Sequence, residues 1–400
     1  MRRFDYTAKD SKTGKTVKGK IQADSEQAAG KLLIEQGYSP QKIQDEDAAG
    51  GFFKFLNKAT KKDQIMFTRQ FATLIGAGLP LSTSLRTVME QTESKPMQAI
   101  IDEVIADVEA GRKLTDALKK YPETFDRVYI ALVEAGETSG TLDVALKRLA
   151  DQQEKEMAIA SKIKSAMTSP LITLVVIIAV VIFMLLEVVP QVEDLYESLK
   201  KDLPFATQIL VSAANFMMNQ WIVVVVMLAV TVWFFMWFRR TDAGIRILAG
   251  LKLNAPIFKS LFQMQYMARF GKTMENLLST GVSMLDSMQI SGESMDNIIL
   301  QEQIEKAEEG VRAGKSLSSQ LKEADYMLPL IPQMAAVGEE SGKIDEMLGK
   351  AAKVYEDQVD EQVARISQMI EPIMMLMMAV LAGGIIMAVL FPIYSLVGSV

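Results

Sequence analysis

The sequence LITLVVIIAVVIFMLL occupies residues 171–186, and Thr173 is its only polar residue. It lies within a charge-free stretch, residues 165–186, and a helix that crosses a bilayer needs about 20 apolar residues. Residues 203–238 and 372–400 also carry no charged side chain. Three such runs predict three transmembrane helices. The alternative is that these runs are buried helices of a soluble protein. Soluble proteins rarely contain three such runs in one chain.

The cations that flank these runs predict their orientation, because cytoplasmic loops carry an excess of Lys and Arg. The first run is preceded by Lys155, Lys162 and Lys164, and the third by Arg365. The second run is followed by Arg239, Arg240 and Arg246. We therefore expect residues 1–165 and 239–369 in the cytoplasm, and the 190–220 loop and the C-terminus on the other side. The first residues contain no apolar h-region, so we expect no signal peptide.

Composition limits the chemistry that the chain can perform. Its 400 residues predict two or three domains at about 150 residues each. Cys and His are absent, which excludes disulfides, Cys/His zinc sites and imidazole catalysis. The 43 basic and 49 acidic residues sum to a charge of −6, which gives no reason to expect nucleic-acid binding. We expect no metal and no cofactor.

The N-terminal sequence predicts a small α/β module. Residues 4–8 and 17–21 alternate in polarity on either side of a turn, as the strands of a β-hairpin do. Asp24 can begin a helix that Gly37 ends. A third strand is expected near residues 40–43.

The rest of the chain contains an internal repeat, first at an offset of 203 residues and then, after a one-residue deletion, at 202. The matched pairs include Phe67/Phe270, Gly78/Gly281, Gly136/Gly338, Pro170/Pro372 and Pro190/Pro392. A repeat of this length predicts that a unit of one helical bundle and one spanning helix has been duplicated. The middle transmembrane helix has no copy, and the chain needs it to bring the second bundle back to the side of the first.

We therefore predict a mainly α membrane protein with two homologous cytoplasmic helical bundles, three transmembrane helices and a small N-terminal α/β module. The expected segments are the module (1–45), a linker (46–60), bundle 1 (61–166), transmembrane helix 1 (167–189), an external loop (190–218), transmembrane helix 2 (219–238), bundle 2 (239–369), transmembrane helix 3 (370–391) and an external tail (392–400). The apolar residues and lysines of 52–58 fit an anionic membrane surface or, as we favour, a linker docked on the next bundle.

A five-residue motif, Gly-Glu-x-Ser-Gly, occurs once in each copy, between two amphipathic helices. Its glycines permit a turn, and its serine can cap the following helix. An exposed loop on a rigid bundle is also where partners bind, so a structural turn and a contact surface are both open interpretations. The candidate residues are Gly136, Glu137, Ser139, Gly140, Gly338, Glu339, Ser341 and Gly342.

Motifs of known enzymes fail on spacing or context. Residues 310–316, GVRAGKS, resemble a phosphate-binding loop. Three residues separate the glycines where four are required, and helical sequence precedes the motif where a strand should stand. Pairs of carboxylates fall on charged helix faces, where solvation is the usual reason for them. We assign no catalytic residue.

The sequence that leads into the membrane is helical without interruption. No helix breaker occurs from Thr141 to Ser169 or from Asp345 to Glu371, so each bundle is expected to end in a helix that continues into a transmembrane span. Pro170 and Pro372 can kink these helices where they enter the bilayer.

The assembled motifs resemble those of one family, the inner-membrane platform proteins of type II secretion and type IV pilus assembly (the GspF/PilC family). They are EQGYSP at 35–40, FTRQFATLI at 67–75, AGLPL at 77–81, VPQ at 189–191, LP at 203–204, FGKTM at 270–274, TGVS at 280–283 and EP at 371–372. The candidate helix and membrane residues in or near them are Arg69, Gly78, Lys272, Gly281, Pro170, Pro190, Glu371, Pro372 and Pro392. Lys272 stands where the family commonly has Arg.

The resemblance implies a non-enzymatic, multi-pass scaffold of the bacterial inner (cytoplasmic) membrane. It implies that a cytoplasmic hexameric ATPase is coupled to the extraction and polymerisation of pilin-like subunits. The implied partners are the assembly ATPase, pilin or pseudopilin subunits, other inner-membrane assembly proteins, membrane lipid and further copies of the chain in a homo-oligomer, without nucleic acid. The residues alone leave two other classes open: a transporter or channel, which duplicated units suggest, and a membrane-tethered enzyme.

Overall fold

The computed structural model describes the backbone of residues 2–10, 16–23, 30, 32–33, 37–45, 58–198, 208, 211–212, 214–216, 219–256 and 258–397. The chain divides into two compact units, Met1–Phe125 and Asp126–Val400. The division falls inside the segment 61–166 that the sequence predicts as one bundle.

The first unit begins with a three-stranded antiparallel sheet. Its strands are β1 (Arg2–Asp10), β2 (Thr16–Ala23) and β3 (Tyr38–Asp45), in the order β2-β1-β3. Phe4 pairs with Ile21 on β2, and Tyr6 pairs with Ile43 on β3. Pro40 is tolerated because β3 is an edge strand, where a missing N–H leaves no ladder bond unmade. Most of the helix predicted to start at Asp24, and most of the linker, lie outside the described residues.

Four helices follow in the described part of this unit. They are α1 (Lys61–Gly76), α2 (Leu81–Gln91), α3 (Lys95–Glu109) and α4 (Leu114–Leu118). The Thr60 Oγ accepts from the Asp63 N–H at 3.2 Å, and the Asp63 carboxylate accepts from the Thr60 N–H at 2.9 Å, which together cap α1. Phe67 lies 5.5 Å from Phe71 and 6.0 Å from Phe125 between ring centroids, at the centre of the unit.

The regular elements in the described part of the second unit are all helices. Its elements are α5 (Arg127–Ser139), α6 (Leu142–Phe183), a π-helical turn (Met184–Val188), α7 (Val189–Ser198), α8 (Trp221–Phe238), α9 (Asp242–Asn254), α10 (Lys259–Ser279), α11 (Met284–Ser294), α12 (Ile298–Arg312), α13 (Leu317–Glu323), α14 (Leu330–Ser341) and α15 (Ile344–Val397). Its core surrounds α10, where Met267, Phe270 and Met274 are fully buried.

The sequence repeat is repeated in the helices. Helices α2 and α11 begin and end at matching positions, as do α3 and α12. Left-handed glycines end three matched pairs of helices, as Gly78/Gly281, Gly111/Gly314 and Gly140/Gly342. Each has a φ that other residues adopt at a cost, so the same turns recur in both copies.

Two very long helices lead into the apolar segments, as predicted, one from each helical bundle (the first lobe, 61–166, and the second lobe, 239–369). Helix α6, the π-helical turn and α7 form one run of 57 residues, Leu142–Ser198, and α15 has 54 residues. At 1.5 Å per residue each is roughly 80 Å long. Both are long and apolar enough to cross a membrane, and α8 is the third candidate if the bent pair α8–α9 counts as one span.

Prolines within these helices do not end them. Pro170 lies inside α6, and the backbone of α15 is helical through Pro372 and Pro392. Pro190 lies two residues after the end of the π-helical turn. Proline lacks an N–H and its ring crowds the carbonyl four residues earlier, and a wider turn at that point relieves the crowding.

The predicted external loop, residues 190–218, begins with a helix, because α7 covers its described first part up to Ser198. Helix α7 continues to Ser198, and Leu185 and Val189 pack against Val211 and Ala214 of the returning chain. This apolar contact holds the returning chain against the start of α7.

Helices α10 and α15 approach each other closely at two glycines, which allows the packing of the second unit to be tested. A Cβ at Gly271 of α10 would lie 2.9 Å from the Leu348 carbonyl oxygen, which is backbone and cannot move aside. A Cβ at Gly349 of α15 would meet the flexible carboxylate of Glu275 instead. Both substitutions gain the same helix propensity, so their difference isolates the steric cost.

We therefore predict that Gly271→Ala destabilises the protein by about 1–3 kcal/mol, whereas Gly349→Ala is neutral or stabilising. The measurement is thermal unfolding of the full-length protein in detergent, followed by circular dichroism. Equal melting temperatures for the two variants would show that the α10–α15 contact is looser than described.

Candidate functional site

The last glycine of each five-residue motif ends a helix in the left-handed conformation. Gly140 ends α5 with φ +73°, and Gly342 ends α14 with φ +69°. The N–H that follows each of them donates to the carbonyl of the motif's first glycine, at 2.9 Å in both copies. These bonds satisfy the last carbonyls of the helix.

The first glycine of each motif permits two helices to touch. A Cβ at Gly136 would lie 2.7 Å from the Ala145 Cβ, and one at Gly338 would lie 2.7 Å from the Ile344 Cα. Any larger residue would push the next helix away. The glycines of the motif are therefore explained by the turn between α5 and α6, and by the turn between α14 and α15.

The serines of the motif do not cap the following helix, contrary to our prediction. Ser139 Oγ donates to the Ala135 carbonyl at 2.7 Å, and Ser341 Oγ donates to the Val337 carbonyl at 2.7 Å. Both serines stand in the last turn of the preceding helix, where the carbonyl four residues earlier is within reach. Asp143 lies in the first turn of α6, where the helix dipole favours a negative charge.

Glu339 has a specific contact that the sequence did not indicate. Its carboxylate accepts from the Leu317 N–H and, at 3.3 Å, from the Ser318 N–H. It thereby caps α13, which has no acidic residue of its own in its first turn, and ties that helix to α14. The motif glutamate of the second copy is thus a structural residue.

The outward side of the second motif is polar and exposed. Glu340, Ser341 and Gly342 are exposed. On the following turn, hydrogen bonds from Lys350 and Lys343 hold the pKa of Glu346 below its usual value. This side of the turn is accessible to a partner, so the contact-surface interpretation remains for these residues.

The candidate helix residues lie in corresponding places of the two copies. Gly78 (φ +83°) joins α1 to α2, and Gly281 (φ +88°) joins α10 to α11. Arg69 is half-buried in α1. Lys272 donates to the Glu275 carboxylate one turn along α10, at 2.7 Å. Gly78 and Gly281 serve the turns, and Lys272 belongs to a polar surface of the second unit.

That polar surface is a seam between α6 of the first copy and the helices of the second. Lys155 binds Glu356 at 2.6 Å, and Lys162 binds Asp360 at 2.7 Å. Residue numbers rise together along both helices, so α6 and α15 run in the same direction. Ile159 lies between the two ion pairs, against the apolar cluster of α15. Sequence reasoning missed the seam, which no single motif marks.

Buried polar groups fix the register of the seam. Asn276 Nδ2 of α10 donates to Gln152 Oε1 of α6 at 2.8 Å. Arg269 binds Glu156 at 3.3 Å and also donates to the Ser294 carbonyl at 3.1 Å. A shift of one turn along α6 would leave the buried Asn276 and Gln152 amides without partners, at a cost of about 1–3 kcal/mol each. It would also separate the half-buried Arg269 from Glu156.

The membrane residues lie on long exposed helices. Pro170 and Pro190 belong to the first long helical run, and Glu371 and Pro372 are exposed near the start of the apolar part of α15. For Pro392 the backbone alone is described. The two threonines Thr173 and Thr231 donate to carbonyls of their own helices, at 3.1 and 2.8 Å.

Comparison with family models finds the same repeat. The model described as type II secretion system protein F matches twice, at residues 67–190 and 270–392. The model of the N-terminal domain of type II secretion system protein F matches residues 1–44. The matches begin and end at the repeat boundaries that the sequence shows.

Curated relatives cover nearly the whole chain. A type IV pilus assembly protein PilC from Thermus thermophilus is 34% identical, over 99% of this chain and 98% of its own length. A protein of the same name from Myxococcus xanthus is 32% identical over 99% of this chain and 95% of its own. A type II secretion system protein F from Vibrio cholerae is 31% identical over 99% and 98%.

The role of Glu339 gives a direct test with a neighbouring control. We expect Glu339→Ala to destabilise the protein by about 1–3 kcal/mol, since two N–H groups at the start of α13 lose their acceptor. Glu340→Ala removes an exposed carboxylate of the same type and should change stability by less than about 0.5 kcal/mol. Thermal unfolding of both full-length variants measures the difference, and equal effects would contradict the capping role.

Proposed function

Since the chain belongs to the type II secretion system protein F family, whose members are membrane assembly platforms, we propose a specific role for it. It acts as the inner-membrane platform of a type IV pilus or type II secretion machine. It couples a cytoplasmic hexameric ATPase to the extraction and polymerisation of pilin-like subunits. It works as a homo-oligomer alongside other inner-membrane assembly proteins and needs no catalytic residue of its own.

The observation that carries this proposal is mechanical. Helices α6 and α15 each run without a break from a helical lobe into an apolar segment. The ion pairs and apolar contacts of the seam join them before that segment begins. A displacement imposed on the lobes is thereby transmitted to both membrane helices together, because a continuous helix resists bending and the seam prevents sliding.

The competing classes have less support. A transporter needs polar groups that face a path through the bilayer. Here Thr173 and Thr231 bond to their own helices, and the side chains around them are apolar and exposed. A membrane-tethered enzyme would be an exception in a family of assembly proteins. Solute flux in proteoliposomes, or turnover of a nucleotide by the isolated protein, would favour one of these classes.

The proposed topology has three spans, a cytoplasmic N-terminus and an external C-terminus. It follows from the cations at the span ends, and the absence of Cys makes it easy to test. We predict that Lys113→Cys and Lys322→Cys react with a membrane-impermeant maleimide only after the cells are permeabilised, whereas Glu197→Cys reacts in intact spheroplasts. All three positions are exposed. Labelling of either lysine position from outside would contradict the topology.

The mechanical coupling predicts the effect of a flexible joint. Two glycines inserted after Ala166 should abolish fibre assembly in the source organism, because they interrupt α6 between the part that forms the seam and the apolar part that follows. Binding of the ATPase should persist, measured by its co-purification with the full-length chain. The full chain is needed because α5 and α6 pack on helices of the second copy.

The matched control is a seven-residue helical insert at the same place. It keeps the helix continuous and changes its angular phase by only about 20°, so we expect it to retain much of the assembly that the glycine pair loses. Normal assembly with the glycine pair would contradict mechanical coupling. Equal loss with both inserts would show that the spacing matters and the stiffness does not.

A further inference from the structure

Helix α9 leaves the end of α8 at a bend of 90° and presents an apolar face with no protein partner among the described residues. We infer that α9 lies flat on the cytoplasmic surface of the bilayer. Its apolar face enters the boundary between headgroups and acyl chains, and its opposite face carries the second lobe. The inference rests on the proposed crossing of α8.

The bend is built into the backbone. Thr241 Oγ1 donates to the Phe238 carbonyl at 2.7 Å and accepts from the Gly244 N–H at 3.1 Å, so one side chain joins the end of α8 to the start of α9. A Cβ at Gly244 would lie 1.9 Å from the Phe238 carbonyl oxygen. Only glycine permits so close an approach, and the corner is therefore fixed by the two hydrogen bonds of Thr241 and by the close packing at Gly244.

One face of α9 belongs to the second lobe. Arg246, Ala249, Gly250 and Leu253 form a stripe at positions i, i+3, i+4 and i+7, which share one side of a helix. Ala249 and Leu253 are buried, and Arg246 pairs with Glu302 of α12. This face holds α9 to the lobe.

The opposite face is apolar and exposed. Ile247, Leu248 and Leu251 form a second stripe, two positions before Ala249, Gly250 and Leu253 and so about 200° around the helix; Leu248 is partly buried. Ile247 is 59% exposed and Leu251 is 60% exposed. Exposed large apolar residues opposite a packed face mark a surface that another apolar phase covers.

The position and the flanking charges identify that phase as lipid. The face continues from α8, whose described side chains are mostly exposed and, apart from Thr231, apolar. Arg239 and Arg240 stand at the corner, and Lys252 follows Leu251, all exposed. Cations around an apolar stripe suit a surface of anionic headgroups. At 13 residues, α9 spans roughly 20 Å and is too short to cross the hydrocarbon core, which is about 30 Å thick.

The test uses single cysteines at Ile247, Leu251, Leu228 and Val337, each labelled with bimane in full-length protein. The protein is reconstituted in vesicles of phosphatidylethanolamine and phosphatidylglycerol. Lipids with a nitroxide at a shallow or a deep acyl position quench a label that lies near them, and aqueous iodide quenches a label that lies in water. Leu228 reports the span, and Val337 is an exposed apolar control on the second lobe.

We expect shallow nitroxides to quench the labels at Ile247 and Leu251 by about two-fold or more and to the same extent, since an interfacial helix lies about 5–10 Å deep along its whole length. The label at Leu228 should respond to the deep nitroxide, and the label at Val337 only to iodide. Unequal depths at Ile247 and Leu251 would mean a re-entrant helix, and labels shielded from lipid and iodide alike would mean a protein partner. Either result overturns the inference.

Failure of the two proposals can be told apart. If lipid nitroxides quench the label at Leu228 but the labels on α9 are accessible to iodide, the interfacial position of α9 is contradicted and the crossing of α8 is retained. An unquenched label at Leu228 removes the crossing of α8 and the inference that rests on it.

The corner provides a second variant pair. Gly244→Ala forces the backbone at the bend to shift, so it should change the ratio of shallow to deep quenching at Leu251. Gly250→Ala is the control, because its Cβ would meet Ile299 Cδ1 at an ordinary 3.7 Å. An unchanged ratio in both variants would contradict the fixed corner.

Discussion

The hydrocarbon core of a bilayer offers no water to bond the backbone, so a chain that crosses it must keep every N–H and C=O paired within the crossing segment. Helices α6 and α15 meet this constraint by continuing an existing helix into the membrane. Each lobe is therefore attached to its span by backbone hydrogen bonds without a joint. The prolines are compatible with this arrangement because the helices absorb them, in one case with a π-helical turn before Pro190.

If α6 and α15 were continuous but made no contact, they would move independently. The seam between the two copies joins them. Lys155 and Lys162 hold α15 from one side, while buried amides fix the register against α10. Exposed ion pairs of this kind contribute little individually. Their value here is positional, since they align two helices that start in different copies. Buried polar groups add specificity, because other registers would leave them unpaired.

Much of this architecture could be predicted from the sequence, because periodicity and glycine positions are local signals. The left-handed glycines and the uninterrupted long helices belong to that class. The partner of each helix is not a local signal. An amphipathic face shows that a helix packs on other helices, but it does not show which of the two similar copies supplies them. The contact of Glu339 with α13 could not be predicted for a related reason. Glu339 is one of 49 acidic residues, and its proximity to Leu317 depends on the folded structure. The bend at Gly244 could be recognised only from the backbone geometry of α8 and α9.

The shared direction of α6 and α15 has a consequence for how the two copies are connected. Both helices enter their apolar segments with the same polarity, so a chain that carries the two copies in tandem needs one more crossing between them. In the proposed three-span topology α8, which lies outside both copies, supplies that crossing.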